Sequence, residues 1–135
     1  MVSVSSFDPS EFYSRQTVLL ELGQKGQEKL WRSKVAIVGL GGLGSASALY
    51  LALAGVGHLR IVDQDTVELN NLHRQILYSL KDLRYPKVEA AAQKIKQMNP
   101  EVKVEAIPET VRGGNVGEIV AVSYTHLTLP TKRIV

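Results

Sequence analysis

VAIVGLGGLGSAS, residues 35–47, joins a β-branched apolar run to four glycines and then to a row of small helix-forming residues. The Val-Ala-Ile-Val core predicts a buried strand over 34–38, and the small residues predict a helix over 45–54 that ends at Gly55. Residues 58–62 predict a second strand. A strand, a helix and a strand in this order form a βαβ unit, so the sequence predicts an α/β fold with a parallel sheet.

The four glycines satisfy the G-x-G-x-x-G pattern, with Gly39, Gly41 and Gly44 at its fixed positions and Gly42 between them. Glycines here permit a tight turn, a close approach of backbone amides to phosphate, and close packing of helix on strand. The helix N-terminus adds partial positive charge. Asp63, at the end of the second predicted strand, stands where a carboxylate accepts hydrogen bonds from ribose hydroxyls. Alone, this combination favours a dinucleotide site.

The rest of the chain predicts further helices and one more strand. Asp8 precedes Pro9 with the spacing of a capping box, which predicts a helix over 9–22 that ends at Gly23, and a short helix follows over 24–31. Residues 64–83 are polar and irregular. Pro86 begins a helix with one apolar face, residues 101–107 alternate like a third strand, and residues 115–121 predict a final helix.

Composition bounds the class of protein. The 135 residues are 44% hydrophobic and 21% charged, which describes one soluble globular domain. No apolar stretch is long enough for a membrane span and the polar N-terminus is no signal peptide, so we expect a cytoplasmic protein without a membrane partner. The net charge of +3 is spread along the chain, which argues against a nucleic-acid partner. The absence of cysteine excludes a thiolate zinc site and a cysteine nucleophile within the chain.

The polar segment after Asp63 separates two classes of nucleotide. Asn70 and Asn71 offer amides, Arg74 offers a planar fork for phosphate oxygens, and Lys87 offers a point charge. Together they suit a triphosphate. The alternative is an NAD-dependent oxidoreductase, in which these groups would have no evident role. The asparagines and the lysine also have a plainer interpretation, in which the asparagines form turns and the lysine is an ordinary surface charge, and Arg15 could likewise be a solvated helix residue.

At these residues the sequence resembles the adenylating enzymes that activate ubiquitin-like proteins, specifically the MoeB, ThiF and HesA group. The matching segments cover most of residues 12–107 in the family's order: YSRQ, GQEKL, VAIVGLGGLGS, LALAGVG, IVDQDTVELNNLHRQ, PKVEAA and MNPEVKVE. The resemblance implies a Rossmann-like, doubly wound sheet that binds ATP and Mg²⁺. It implies an adenylyltransferase that acts on the C-terminal glycine of a small ubiquitin-like sulfur-carrier protein of the molybdopterin or thiamin type, and that works as a homodimer.

Carried over residue by residue, the resemblance implies that Gly42 lies against the phosphates and that Asp63 holds the ribose. Arg15 would reach into the partner subunit's site. A carboxylate that attacks the α-phosphorus pushes negative charge onto phosphate oxygens, so cations placed in advance are the main catalytic device. The predicted catalytic residues are Arg15, Arg74 and Lys87. The predicted ATP-binding residues are Gly39, Gly41, Gly42, Gly44, Asp63, Asn70, Asn71, Arg74 and Lys87, and no metal ligand is predicted.

The resemblance ends after residue 121. The family continues with a strand that ends in a magnesium-binding aspartate, and often with paired cysteines for zinc, so we expect the magnesium ligand, and any zinc, only in a full-length parent. Residues 122–131 instead resemble a translated sequencing-library adapter. We therefore predict an N-terminal helical segment over 1–33, a partial ATP-binding domain over 34–121 with about three parallel strands, and a non-native tail over 122–135. Such a truncated chain is expected to be inactive.

A non-catalytic binding subunit of an activating enzyme is a further alternative, because such subunits keep the fold and lose the chemistry. Retention of Asp63, Arg74 and Lys87 favours the enzyme.

Overall fold

A parallel sheet of four strands lies at the centre of the structure, a computed structural model that describes residues 6–121 and 125–128. Its strands are β1 (Lys34–Val38), β2 (His58–Val62), β3 (Lys103–Ile107) and β4 (Thr125–Thr128), in the spatial order β3-β2-β1-β4. The predicted α/β class and the three predicted strands are confirmed. The backbone of β4 pairs with β1, which adds a strand to the three expected. The assignment of residues 122–135 to a non-native tail stays a prediction, and most of that segment lies outside the described residues.

The carboxyl ends of the strands meet at one edge of the sheet. β1 and β2 pair in parallel from Lys34 opposite His58 to Val38 opposite Val62, and β2 pairs in the same sense with β3. Ile37 lies fully buried at the sheet centre. Because parallel strands run in one direction, the loops that follow β1 and β2 leave the sheet side by side.

Helices cover both faces of the sheet. Helix α4 (Gly42–Ala54) connects β1 to β2 and ends at the predicted Gly55, while α5 (Lys87–Met98) connects β2 to β3 and packs beside α4 in the same apolar cluster. Side chains alternate along β2, so Arg60 points to the other face, where its guanidinium donates to the Glu118 and Ile119 carbonyls of α6 (Val116–Val120). The sheet is therefore doubly wound. No helix in the described ranges is long and apolar enough to cross a membrane.

An ion cluster ties β2 to β3 on the α6 face. Arg60 Nε lies 2.7 Å from Glu105 Oε2, and His58 Nε2 lies 2.9 Å from Glu105 Oε1. The hydrogen bond from Arg60 is the main reason that the pKa of Glu105 is lowered; His58 adds to it, and partial burial opposes it. The predicted third strand is thereby joined to its neighbour by side chains as well as by the backbone.

The N-terminal segment differs from its prediction. A single helix over 9–22 is wrong: the structure has α1 (Pro9–Phe12), α2 (Ser14–Thr17) and turns over 18–22. Gly23, predicted to end a helix, instead begins α3 (Gly23–Arg32) with φ +62°. The physical reason is tertiary. Tyr13 turns inward to accept a hydrogen bond from the buried Asn99, while Leu20 is 99% exposed, so the helix pattern finds nothing to pack against beyond residue 17.

The irregular segment between β2 and α5 positions the start of α5. The Lys87 amide donates to the Asp65 carbonyl at 2.9 Å, and the Val67 amide donates to the Tyr85 carbonyl at 2.9 Å. Arg84 turns the chain with φ +68° and donates its amide to the Val67 carbonyl. These bonds hold the first residue of α5 beside the segment that follows β2.

Candidate nucleotide-binding site

The glycine loop lies at the carboxyl end of β1. Gly39 adopts φ +98°, a region that favours glycine, and its amide donates to the Val62 carbonyl at 2.7 Å. A Cβ on Gly44 would lie 1.8 Å from the Gly39 carbonyl oxygen, whereas a Cβ on Gly42 would meet nothing within 4 Å. Gly41 precedes α4 as its N-cap residue. The loop therefore has no room for a side chain at Gly44, whereas the space next to Gly42, in the first turn of α4, is open.

Two side chains hold the backbone of Leu40 inside this loop. Asp63 Oδ2 accepts a hydrogen bond from the Leu40 amide at 2.7 Å, and the Tyr78 hydroxyl donates to the Leu40 carbonyl at 2.9 Å. Asp63 Oδ1 also accepts from the Asp65 amide at 2.7 Å. Each carboxylate oxygen of Asp63 has a second lone pair, so it retains capacity to accept from a ligand hydroxyl.

Tyr78 was not predicted from the sequence. Burial raises the pKa of its hydroxyl far above the usual value, and the negative charges of Asp63 and Asp82 raise it further, so the group stays a proton donor. A tyrosine in a polar loop gives no sign of its partner. Only the fold, which brings the turn around residue 78 against the glycine loop, shows what it contacts.

Lys87 is a largely buried lysine at the same edge of the sheet. It begins α5, is 6% exposed, and lines a cavity of about 170 Å³ together with Asp65, Glu68 and Asn71. Although two carboxylates line this cavity, Lys87 forms no ion pair with any residue of the described ranges. Its ammonium is not among the side-chain atoms of the described residues that are both fully buried and unpartnered, so it keeps contact with solvent and is available to an anionic ligand.

Asn71 lines this cavity, and the backbone amide of Arg74 donates to the Asn71 carbonyl at 3.2 Å. The Asn71 amide oxygen accepts from the Glu68 backbone at 2.9 Å, and its Nδ2 donates to exposed Asn70 at 3.3 Å. Asn71 therefore stabilises a turn and keeps one Nδ2 hydrogen for a ligand. The half-buried Arg74 side chain has no ion pair or hydrogen bond with another described residue.

A second cavity lies beside the glycine loop. It has a volume of about 100 Å³ and is lined by Gly39, Asp63, Asp65 and Glu109, among others. Asp65 lines both cavities. The fold thus brings together Asp63 and the glycine loop at one end with Asn71 and Lys87 at the other. A larger cavity of about 440 Å³, beside Tyr13 and Trp31, contains none of the predicted site residues.

Arg15 lies away from the glycine loop. It is exposed on α2, and its neighbour Gln16 donates to the Ala54 carbonyl, at the last residue of α4. The glycine loop is at the first residue of α4, about 18 Å away at the usual helical rise. Within one chain, Arg15 is therefore not part of this site.

The described residues do not assemble a metal site. Within 6–121 and 125–128, no group of three histidine, aspartate or glutamate side chains is placed to hold a metal ion. Magnesium and zinc stay predictions.

The sequence profile of the ThiF family matches residues 13–127. The sulfur carrier protein ThiS adenylyltransferase of Escherichia coli is 45% identical over 109 residues, which are 81% of this chain and 43% of the relative. The molybdopterin-synthase adenylyltransferase of Haemophilus influenzae is 47% identical over 108 residues, 80% of this chain and 44% of the relative. This chain spans less than half the length of these relatives.

Solved structures agree with the fold. PaaA superimposes with a TM-score of 0.82 at 36% identity, over 95% of this chain and 44% of that one. The tRNA N6-threonylcarbamoyladenosine dehydratase TcdA of E. coli, in complex with ATP, gives a TM-score of 0.80 at 30% identity, over 85% of this chain and 46% of that one.

Two alanine substitutions distinguish Gly44, where a side chain has no room, from Gly42, which lies next to open space. Gly44→Ala places a methyl group against the Gly39 carbonyl, so we expect a loss of about 3 kcal/mol or failure to fold. Gly42→Ala meets no atom and replaces glycine by a better helix former, so its free energy of unfolding should be unchanged or higher by up to about 1 kcal/mol. Thermal unfolding followed by circular dichroism measures both. Equal midpoints for the two variants would contradict the described loop.

Proposed function

Because this chain belongs to the ThiF family, we propose that it is the ATP-binding part of an enzyme that adenylates the C-terminal glycine of a small ubiquitin-like sulfur-carrier protein. The observation that carries this proposal is Lys87, a largely buried lysine without an ion-pair partner in the described ranges, in a cavity that shares Asp65 with the cavity beside the glycine loop. The relatives named as adenylyltransferases of sulfur carriers support it, as does the ATP complex of a structural neighbour.

The arrangement suits nucleotidyl transfer without a protein nucleophile. A carboxylate oxygen of the carrier's terminal glycine attacks the α-phosphorus of ATP, a new P–O bond forms, and the bond to pyrophosphate breaks. Negative charge grows on the phosphate oxygens and on the leaving group, and Lys87 and Arg74 stabilise it. Open space at Gly42 lets the phosphates approach the helix N-terminus, and Asp63 retains lone pairs for the ribose hydroxyls.

The choice between ATP and a nicotinamide cofactor can be tested directly. We expect isothermal titration to show that ATP binds this chain and binds more tightly with Mg²⁺ present. Preferential binding of NADH would overturn the proposal.

Adenylation itself is measured with the full-length parent protein, by exchange of labelled pyrophosphate into ATP in the presence of a carrier protein that ends in Gly-Gly. Exchange that depends on this carrier supports the proposal. ATP binding without exchange would favour a binding role instead.

Removal of the Lys87 charge should weaken ATP binding without harm to the fold. Lys87→Met keeps much of the side-chain volume and removes an ammonium that has no ion pair in the described ranges, so the unfolding midpoint should stay equal or rise. Affinity for ATP should fall about 10- to 100-fold, since a hydrogen bond to a charged group contributes roughly 1.5–3 kcal/mol. Titration calorimetry measures the affinity. Lys94→Met, at an exposed position of the same helix, is the matched control, and an equal loss in both variants would contradict a specific role for Lys87.

We also propose that the enzyme is a homodimer in which Arg15 completes the partner subunit's site. Arg15 lies away from the site of its own chain, and an exposed apolar run follows it, with Val18, Leu19 and Leu20 exposed by 76%, 53% and 99%. Contiguous exposed apolar side chains are typical of interfaces. An interface on this run would carry Arg15 across to a second copy.

Mixed variants test this arrangement. Arg15→Ala and Lys87→Met should each bind ATP weakly, whereas their equimolar mixture should recover about a quarter of the wild-type sites, because half of randomly formed dimers carry one intact site. The number of tight sites in a calorimetric titration measures the recovery. Arg32→Ala, an exposed arginine on α3, serves as the control and should bind normally. A mixture no better than its components would contradict the shared site.

A further inference from the structure

The two hydrogen bonds on Leu40 hold two consecutive peptide groups. The Leu40 amide, bound by Asp63, belongs to the peptide between Gly39 and Leu40. The Leu40 carbonyl, bound by the Tyr78 hydroxyl, belongs to the peptide between Leu40 and Gly41. Leu40 itself is fully buried, so neither peptide group exchanges its partner for water without a change in the loop.

The second of these bonds sets the direction of the Gly41 amide. In a planar trans peptide the carbonyl and the following N–H point in opposite directions. With its carbonyl held toward Tyr78, this peptide therefore directs the Gly41 N–H away from Tyr78. That N–H donates to no residue of the described ranges, and it lies at the N-cap of the 13-residue helix α4. It is an oriented donor beside the open space in front of Gly42.

We propose that Tyr78 is a positioning residue for the phosphates: its hydroxyl holds the Leu40 carbonyl so that the Gly41 amide faces the bound nucleotide. This inference rests on the proposed function, because it takes the glycine loop as the phosphate site. Asp63 is proposed both to hold the loop and to bind the ribose, so a change of Asp63 would affect both. Removal of the Tyr78 hydroxyl affects only the loop.

A single-atom change isolates this role. Tyr78→Phe keeps the buried ring and removes only the hydroxyl that reaches Leu40. Tyr13→Phe is the matched control, since Tyr13 is also buried but its hydroxyl accepts from Asn99, near the C-terminal end of α4. Both variants lose one buried hydrogen bond, so both should be somewhat less stable.

The readout is the ratio of affinities for ATP and adenosine, measured by titration calorimetry. Tyr78→Phe should weaken ATP binding about tenfold and leave adenosine binding unchanged, because one oriented hydrogen bond to a charged group is lost and the nucleoside does not use it. Tyr13→Phe should leave the ratio as in the wild type. A ratio in Tyr78→Phe equal to that of Tyr13→Phe would overturn the inference.

A second measurement does not depend on the nucleotide. In the ligand-free, ¹⁵N-labelled protein, the amide resonance of Gly41 should shift and broaden in Tyr78→Phe, because the Leu40–Gly41 peptide group then samples more than one orientation. The same resonance should not change in Tyr13→Phe. If the wild type bound no ATP, the proposed function would fail, and the Gly41 resonance would decide the loop's orientation separately. An unchanged resonance in Tyr78→Phe would then refute the positioning role.

Discussion

The approach of Gly44 to the Gly39 carbonyl is the contact on which the rest of the site depends. No side chain fits between these residues, so α4 begins directly against the end of β1. This places the first helical turn, with its unpaired amides, at the carboxyl edge of the sheet. The register of β1 and β2 then sets Asp63 opposite the loop, where its carboxylate takes the Leu40 amide. A larger residue at position 44 would separate the helix from the strand and move every later group.

Two largely buried polar residues in the segment that runs from β2 into α5 have side-chain groups without a partner in the described ranges. Lys87 has no ion-pair partner in the described ranges, and Gln75, which is 2% exposed, has a buried amide oxygen without a hydrogen bond. Each unsatisfied buried group costs free energy, on the order of 1–3 kcal/mol for a neutral one. Such groups are concentrated here, in the segment that follows β2 and at the start of α5. The chain retains polar side chains where an apolar core would be more stable, as expected of a site that binds a charged ligand.

The regular elements that surround the glycine loop could be predicted because their signals are local. The apolar core of β1, the four glycines and the small residues of α4 follow each other within one short stretch, and Gly55 ends the helix as predicted. The N-terminal segment could not be predicted in the same way. Its capping signal was real, since Asp8 accepts from the Ser10 amide, but the length of the helix depended on whether residues 18–22 found a surface to pack against.

The sequence by itself determined the α/β class, the position of the glycine loop and the identity of the polar residues near it, because strand and helix periods and glycine spacing are properties of neighbouring residues. Only the tertiary structure decided how these residues are used. It buried Lys87 without a counter-ion in the described ranges, directed both oxygens of Asp63 to the backbone, and brought Tyr78 to a residue 38 positions earlier. Burial and hydrogen-bond partners arise from contacts between segments far apart in the chain, and no local pattern encodes them.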